Sequence, residues 1–414
     1  MPAFFLKMKY LGNSPENLFQ RIKRYVREYE ERNGKGSAIN VAVGEPDTVP
    51  PKALREKTAE CVMSDDNAMH TYWDNRDPGN FCRHMVQRIT GVDINDYPHL
   101  RSLVLPGEKS MLGLLPIACG ANIPGSFSNE GFVRTAPAYD VVGTWAEYLG
   151  TEASIWPLFS EEHFALSLKH LPKREKPPRM IITVKPGNPC PAGASAAQWE
   201  ELIAYCVQHG VRLVNDAAYA SLVHGRHTPL CEVAKRYPEL EWMELFSISK
   251  TLSACGWRLG AAIGSTDFID ELAKVKGNAD SGPFGPALVA TERYFADDAC
   301  LADMKEVQQM YDRRLKKAIP LFEKAGFRLA CPTDAGFFML FHCPKVVDGK
   351  SFSSAEECNM YMISQYGLVG VPFSGAEKEG KTEQFLRYSV CADFEDERFY
   401  TRVEKALSQV QIAY

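Results

Sequence analysis

The sequence predicts an α/β protein with a mainly parallel central sheet in a large domain and a smaller α+β domain. The chain has 414 residues, more than one hydrophobic core usually serves, so two domains are expected. Between about residues 50 and 310, short apolar stretches alternate with helical ones, which is typical of a parallel sheet with crossover helices. We predict a large domain at 46–315 and a small domain formed by 1–45 and 316–414.

The N-terminal segment predicts a helix that begins at Ser14, a favoured N-cap residue, with Pro15 at the first helical position. Apolar residues follow at helical spacing from Leu18 to Val26, and Gly34 ends the pattern. We expect this helix to lie across a partner subunit or the small domain.

A predicted strand at 103–105 leads through a turn that contains Gly107, Glu108 and Lys109 into an apolar segment at 111–119. Such a strand, glycine turn and helix start form an anion cradle, because free backbone N–H groups point outward there. Lys109 either adds charge to the cradle or is solvated. Farther on, Tyr139 follows a turn set by proline, where it either stacks on a planar ligand or packs in the core.

Two further predicted strands end in polar residues. The strand at 180–184 runs into a Pro- and Gly-rich turn with Asn188, and the strand at 211–214 runs into Asp216 and Tyr219. Open α/β sheets bind ligands at the carboxyl ends of their strands, so all three side chains are candidate ligand contacts. Each has a structural alternative: turn chemistry for Asn188, a helix N-cap for Asp216, and a half-buried aromatic for Tyr219.

The segment from 242 to 258 indicates the chemistry. An apolar strand at 242–246 is followed by Ser247, Ser249 and Lys250, with Arg258 eight residues later. A lysine at the mouth of a strand is costly to bury unless it is paired or neutralised, and condensation with an aldehyde neutralises it. The pattern therefore indicates a Schiff base with pyridoxal phosphate (PLP), whose phosphate the serines and Arg258 would hold. An ordinary surface turn is the alternative for this motif alone.

The C-terminal part is predicted to contain a helix at about 300–326 and strands at 336–341 and 385–390. The last of these strands carries Arg387. Upstream, Asp216 would pair with the protonated ring nitrogen of PLP, and Tyr219 would donate to the phenolic oxygen.

The ordered set of motifs resembles the class I/II aminotransferases of PLP fold type I, from about Val43 to Arg387. The resemblance implies a homodimer that uses PLP, an amino acid and a 2-oxo acid. The implied catalytic residues are Lys250, Asp216 and Tyr219. The implied cofactor contacts are Gly107, Glu108, Lys109, Tyr139, Asn188, Asp216, Tyr219, Ser247, Ser249, Lys250 and Arg258. The implied substrate contacts are Gly44, Asn188 and Arg387, of which Arg387 would clamp the α-carboxylate.

Some details are similar to the LL-diaminopimelate aminotransferases. The turn at 107–109 resembles the Gly-Ala-Lys of that group, and the spacing of Asn278 and Ser281 fits it too. The sequence also departs from that group. Glu108 adds a negative charge to the turn, and Asn188 begins Asn-Pro-Cys-Pro-Ala-Gly instead of Asn-Pro-Thr-Gly. The tyrosine–glycine segment of the family is represented only by residues 72–79, with altered spacing. The resemblance implies that Tyr72, Asn278 and Ser281 belong to regions that reach the site of a neighbouring subunit. The departures leave the substrate open, as well as the residues that cross a dimer interface.

The composition argues against several other classes of protein. With 45% hydrophobic residues, 24% charged residues and a net charge of −5, the chain has an ordinary globular composition and no basic block for nucleic acid. Its twelve cysteines form no C-x-x-C pair or metal-like cluster, so we predict no metal and a reducing cytoplasm. No segment reaches the length of a transmembrane helix, and the start has too short an apolar run for a signal peptide.

Other functions remain possible on the same residues. A PLP-dependent lyase, decarboxylase or racemase would share Lys250 and Asp216, because pocket geometry decides which substrate bond breaks. A PLP-binding regulator would need an added DNA-binding module or a lost lysine, and this chain has neither. A dinucleotide enzyme is disfavoured, because no G-x-G-x-x-G follows a strand.

Overall fold

The computed structural model describes residues 18–121, 131–378 and 380–414, so the predicted helix start at Ser14 and Pro15 lies outside the described residues. The helices are α1 Leu18–Asn33, α2 Lys52–Val62, α3 Phe81–Thr90, α4 Glu108–Ala118, α5 Val141–Tyr148, α6 Ala196–His209, α7 Leu230–Ala234, α8 Ile248–Thr251, α9 Thr266–Lys276, α10 Gly285–Ala296, α11 Cys300–Lys324, α12 Ala355–Tyr366 and α13 Glu397–Leu407. The strands are β1 Ile39–Asn40, β2 Leu100–Leu105, β3 Phe132–Ala136, β4 Ala153–Pro157, β5 Met180–Val184, β6 Arg212–Asp216, β7 Trp242–Ser247, β8 Gly260–Ser265, β9 Phe338–His342, β10 Val346–Val347, β11 Lys350–Ser351, β12 Leu368–Val369, β13 Val371–Lys378, β14 Lys381–Ser389 and β15 Ile412–Ala413.

The large sheet has seven strands in the order β2–β8–β7–β6–β5–β3–β4. From β7 to β4 the neighbours pair in parallel, whereas β8 is antiparallel to both β7 and β2. The carboxyl ends of β2, β3, β5, β6 and β7 therefore share one edge of the sheet with the start of β8. This topology confirms the predicted α/β fold with a mainly parallel sheet.

Both faces of this sheet are covered, as parallel sheets require. All six residues of β7 are buried. Because successive side chains of a strand point to opposite faces, Leu245 packs in one core with Leu112 of α4, and Phe246 packs in the other with Trp199 of α6. Full burial of such a side chain contributes about 1.5–3 kcal/mol, so the helices hold the sheet edge firmly in place.

A second, antiparallel sheet has the order β13–β14–β9. Arg387 lies in the middle of it, opposite Val371 on one side and Leu340 on the other. The sheet packs against α11 through an aromatic core in which Phe322 stacks on Phe341, with 5.3 Å between ring centroids. Arg387 is thus held on a rigid strand.

Helix α1 packs on α12, outside the large sheet. Ile22 is buried with Met360 and Ile363. Arg21 donates to the carboxylate of Glu356 at 2.6 and 3.0 Å, but such a partly exposed pair contributes only about 0–1 kcal/mol. Burial of the apolar face of α1 therefore contributes most of the stability of its contact with α12.

We propose that the described residues divide into domains near the predicted boundaries at 46 and 315. The proposed parts are in close contact, because Cys331, Leu340 and Phe385 pack in a core of the large sheet. No helix in the described part of the chain is long and apolar enough to cross a membrane.

Element boundaries differ in detail from the predictions. Strand β6 extends through Asp216, because the strand pairs with both β5 and β7 up to that residue. Strand β9 starts at Phe338 instead of 336, since Gly336 has a φ of 80° and so turns the chain before the strand. Strand β5 coincides with the predicted range.

Candidate active site

The predicted site residues meet at the shared edge of the large sheet. A cavity of about 570 Å³ lies there. Every predicted site residue except Gly107 lines it: Gly44, Glu108, Lys109, Tyr139, Asn188, Asp216, Tyr219, Ser247, Ser249, Lys250, Arg258 and Arg387. Parallel strands bring the residues after β2, β3, β5, β6 and β7 together, so the sheet topology explains most of this convergence.

Lys250 lies in the short helix α8, directly after β7. Its Nζ donates to the backbone oxygen of Gly44 at 2.8 Å and lies 3.3 Å from Cys255 Sγ. The Cys255 thiol in turn donates to the backbone oxygen of Ser249 at 3.2 Å. Sequence reasoning missed Cys255. Its position five residues after Lys250 was the only hint, and the intervening turn decides whether the two side chains meet.

The turn after β2 fits closely against Arg258. Gly107 has a φ of 86°, and a Cβ on it would lie 2.3 Å from Arg258 Nη2. The positive φ favours glycine here, and a Cβ would displace the Arg258 guanidinium from its position against the turn. Arg258 is exposed, adopts a φ of 55°, and donates to the backbone oxygen of Cys255 at 3.1 Å. Most of its guanidinium donors stay available for an anion.

The serines next to Lys250 are both buried. Ser247 Oγ accepts from the backbone N–H of Ser249 at 3.1 Å, so Ser247 caps α8. Helix α4 begins at Glu108, and its first N–H groups have no partner within the helix. Lys109 is exposed, with its Nζ 5.4 Å from the centre of the Tyr139 ring.

Two buried carboxyl groups face each other in the cavity. Glu108 is 6% exposed and Asp216 is 5% exposed. Burial, and then the neighbouring Asp216, raise the pKa of Glu108 well above its usual range; burial also raises the pKa of Asp216. Each carboxyl group acts on the pKa of the other, and two buried like charges in one site favour a proton on one of them. Asp216 also accepts from the backbone N–H of Ala218 at 3.2 Å.

Arg387 is buried on the opposite, antiparallel sheet. Its Nη1 donates to Asn188 Oδ1 and its Nη2 donates to the backbone oxygen of Ala42, both at 2.6 Å. Its Nε is buried and has no acceptor among the described residues. Burial lowers the pKa of Arg387 to about 10. A buried arginine with a spare donor favours an anionic ligand.

Tyr219 and Gly44 complete the cavity wall around Phe338. The Tyr219 ring lies 5.5 Å from the Phe338 ring, centroid to centroid, and burial raises the pKa of Tyr219 well above its usual range. A Cβ on Gly44 would lie 2.9 Å from Phe338 Cζ, so a side chain there would press on the aromatic ring.

Three residues that were expected near a neighbouring subunit lie away from the cavity. Tyr72 is 75% exposed, and Asn278 and Ser281 are also exposed. They belong to one surface region, because the backbone oxygen of Ser281 accepts from the N–H groups of Trp73 and Asp74 at 3.2 and 2.9 Å.

The groups in the cavity fit PLP. The N-terminus of α4 and Arg258 offer donors to a phosphate, Asp216 offers a buried carboxylate to a ring nitrogen, and Lys250 offers an amine to an aldehyde. The absent Cβ of Gly107 leaves the space that Arg258 occupies. Fold and site together define a PLP-dependent enzyme of fold type I.

The chain belongs to the class I and II aminotransferases, whose family matches residues 37–404. It is 29% identical to an LL-diaminopimelate aminotransferase of Syntrophobacter fumaroxidans, over 98% of each chain. It is 28% identical to the LL-diaminopimelate aminotransferase of Methanocaldococcus jannaschii, over 92% of this chain and 87% of that one. A solved double mutant of Thermus thermophilus aspartate aminotransferase has a TM-score of 0.77 over 96% of each chain, at 18% identity.

The family assignment confirms the predicted activity. The protein is an aminotransferase that uses PLP and acts on amino and 2-oxo acids. Transamination is therefore favoured over the lyase, decarboxylase and regulator alternatives.

Proposed function

We propose that amino-group transfer takes place at Lys250, with Arg387 holding the substrate. One observation carries the proposal: the segment 42–44 contacts both side chains. Lys250 Nζ donates to the backbone oxygen of Gly44, and Arg387 Nη2 donates to that of Ala42, two residues earlier. The amine and the carboxylate clamp are thereby held at neighbouring points of one cavity, as a reaction at the α-carbon of an amino acid requires.

When bound, PLP supplies an aldehyde that condenses with amines and a ring that accepts electrons from the substrate Cα. We assign to Asp216 the task of holding a proton at the ring nitrogen. The contacts of Asp216 with the backbone of Ala218 fix the carboxylate at the end of β6. Tyr219 and Asn188 are assigned to the phenolic oxygen, and Ser247, Ser249, Arg258 and residues 107–109 to the phosphate.

Lys250 is assigned the proton transfer between the substrate Cα and the cofactor carbon. Its neighbours, the Gly44 oxygen and the Cys255 sulfur, receive hydrogen bonds from Nζ and orient it. A base must lie within hydrogen-bond reach of the proton that it moves. Arg387 contributes by holding the α-carboxylate, which turns the Cα–H bond toward Lys250.

We propose LL-diaminopimelate as the first substrate to test. The two relatives named above carry that name. The cavity mouth supports it: Lys23 and Glu45 are both exposed on the lining, beside the apolar Phe19, Ile22 and Val26 of α1. One cation and one anion are complementary to the distal carboxylate and ammonium of this substrate, and the apolar residues suit its methylene chain.

The experiment is a half-reaction with the PLP-loaded enzyme. LL-diaminopimelate, glutamate, alanine and aromatic amino acids are added one at a time, and the cofactor absorbance is followed. We expect conversion to the pyridoxamine form, fastest with LL-diaminopimelate. If another amino acid reacts where LL-diaminopimelate does not, the substrate proposal fails. If none converts the cofactor, the assignment of Lys250 and Arg387 fails.

We also propose a homodimer whose active sites lie at the interface. Tyr72, Asn278 and Ser281 lie in one exposed region. Nearby, Met63 is 80% exposed and Phe284 is 57% exposed, at the ends of the packed helices α2 and α10. Exposed apolar groups of this size favour an interface. Sedimentation should give a dimer, and an active monomer would contradict the proposal.

We propose that the enzyme works in the cytoplasm. Its twelve cysteines are all free, and ten of them are buried. Free buried thiols suit a reducing compartment, because disulfides are rare there. Fractionation of cells that produce the protein, with an antibody to it, would test the location.

A further inference from the structure

Arg314 is a buried cation of α11 that none of the steps proposed above uses. Only 4% of it is exposed. Its Nη1 donates to Asp47 Oδ1 at 2.8 Å and to the backbone oxygens of Val390 and Cys391, both at 3.3 Å. Its Nη2 lies 3.2 Å from Oδ1 of Asp393. Arg314 thus joins the segment before α2 to the chain that follows β14.

Asp47 lies in the segment 41–51, which connects β1 to α2. These residues, all described by the structure, form neither helix nor strand. The segment therefore lacks a regular ladder of backbone hydrogen bonds, and individual contacts with other parts of the chain hold it. Two of these contacts involve the site, because Lys250 Nζ and Arg387 Nη2 donate to backbone oxygens of this segment at 2.8 and 2.6 Å. A shift of the segment would move both acceptors.

A second bond fixes the segment beside Asp47. Thr48 Oγ1 and Ser253 Oγ share a hydrogen bond of 2.7 Å. Ser253 lies three residues after Lys250, in the connection between β7 and β8. Because Asp47 and Thr48 are adjacent, one point of the segment is held between α11 and the connection that carries Lys250. That point lies three residues beyond Gly44, whose backbone oxygen accepts from Lys250.

The surroundings of Arg314 favour a role in geometry over one in stability. The side chains of its partners Asp47 and Asp393 are 31% and 49% exposed, so water screens both attractions. Burial of a charge is costly, and apolar residues of similar size often replace a buried ion pair without loss of stability. An apolar residue cannot replace the fork of donors that reaches Asp47 and two carbonyl groups together. The arginine therefore suits a place where two segments must keep a fixed relative position.

We propose that Arg314 is a positioning residue for amino-group transfer, which acts through Asp47 on the segment 41–51. Its bond to Asp47 keeps the backbone acceptors of this segment against Lys250 and Arg387. The role assigned to Arg314 rests on the roles proposed above for those two residues. A displacement of about 1 Å at a reacting group can cost about 100-fold in rate, so a small shift of the segment is sufficient to slow the reaction.

The test compares two carboxylates that share Arg314. Asp47→Ala removes the partner on the segment 41–51, whereas the matched control Asp393→Ala removes a partner outside it. Each full-length, PLP-loaded protein is mixed with a saturating amino donor, and the cofactor absorbance is followed through one half-reaction. We expect Asp47→Ala to slow the half-reaction by about 10- to 100-fold and Asp393→Ala to react like the wild type. Equal losses in the two variants, or a wild-type rate in folded Asp47→Ala, would overturn the proposal.

A further variant covers the case in which Asp47→Ala does not fold. Arg314→Lys keeps the buried cation, but one ammonium group cannot replace the fork that reaches Asp47 and the two carbonyl groups. We expect this variant to fold, as thermal unfolding would show, and to slow the half-reaction in the same way. A wild-type rate in folded Arg314→Lys would overturn the proposal.

A second measurement needs no amino acid and separates positioning from a general loss of structure. Cofactor-free protein is mixed with PLP, and the absorbance reports the condensation of its aldehyde with Lys250. Pyridoxamine phosphate, which has the same ring and phosphate but no aldehyde, is bound in parallel. We expect condensation to be about tenfold slower in Asp47→Ala, with an unchanged affinity for pyridoxamine phosphate.

The two measurements distinguish the role of Arg314 from the proposed function. A weaker affinity of Asp47→Ala for pyridoxamine phosphate, or condensation at the wild-type rate, would overturn the positioning role. If the wild type converts its cofactor with none of the amino acids, the proposed function fails, and the comparison of condensation rates still decides whether Arg314 positions Lys250.

Discussion

Replacement of Arg387 by alanine tests the substrate clamp directly. A bidentate arginine both binds and orients a carboxylate, so Arg387→Ala should raise KM and lower kcat together. The assay is steady-state transamination with saturating 2-oxo acid and a varied amino donor. The rate of the half-reaction, followed by cofactor absorbance, separates binding of the donor from the chemical step.

The surroundings of Arg387 set the size of the effect. The side chain is 3% exposed, so water screens its charge poorly. Both Nη atoms also make hydrogen bonds of 2.6 Å within the protein. Removal of one partner from a buried, hydrogen-bonded charge pair costs about 2–5 kcal/mol, and each 1.4 kcal/mol is about tenfold. We therefore expect kcat/KM to fall by roughly 30-fold to several thousand-fold.

Two controls separate the clamp from a loss of structure. Thermal unfolding of the PLP-loaded variant shows whether the loss of the bonds to Ala42 and Asn188 has destabilised the fold. A primary amine without a carboxylate should react equally poorly with the wild type and with Arg387→Ala, because neither can use the clamp. If a folded Arg387→Ala variant keeps its KM and kcat for amino acids, the carboxylate is held elsewhere and the reasoning is wrong.

The other predictions concern the cofactor side of the cavity. Borohydride reduction and peptide mapping should find the PLP label on Lys250, and a label on Lys109 or Lys185 would refute that assignment. Asp216→Ala should retain part of its PLP, because the phosphate contacts remain, but lose most activity; near-normal turnover would leave Asp216 only a structural role. Because the pKa values of Glu108 and Asp216 are both raised in the folded protein, the folded state binds more protons than the unfolded one above the ordinary carboxyl pKa of about 4. The cofactor-free enzyme should therefore lose stability as pH rises from there through the raised values, and Glu108→Gln should flatten this dependence in urea unfolding; an unchanged slope would contradict the coupling.

The cofactor side of the site could be predicted from the sequence because each residue follows a strand. Asn188, Asp216 and Lys250 come after three apolar runs that pair in parallel as β5, β6 and β7. Carboxyl ends of parallel strands meet at one edge, so local patterns were enough to place these side chains together. The lysine motif and Arg258 both lie in the connection between β7 and β8, which starts and ends at this same edge of the sheet.

Contacts between distant segments depended on the tertiary structure. Whether Arg387 reaches Ala42, 345 residues earlier in the chain, depends on how the antiparallel sheet packs against the large one. The hydrophobic periodicity of the sequence does not indicate how these two sheets pack against each other. The sequence led to Arg387 only through a family resemblance.

The charges inside the cavity were also decided by the fold. The sequence showed Glu108 as an acidic residue at the start of a helix, where it could equally have faced water. The packed chain buries its carboxyl group in the cavity, where Asp216 raises its pKa further. The residues that carry chemistry follow from local patterns, but their protonation depends on burial and on neighbours from other segments, which only the packed chain determines.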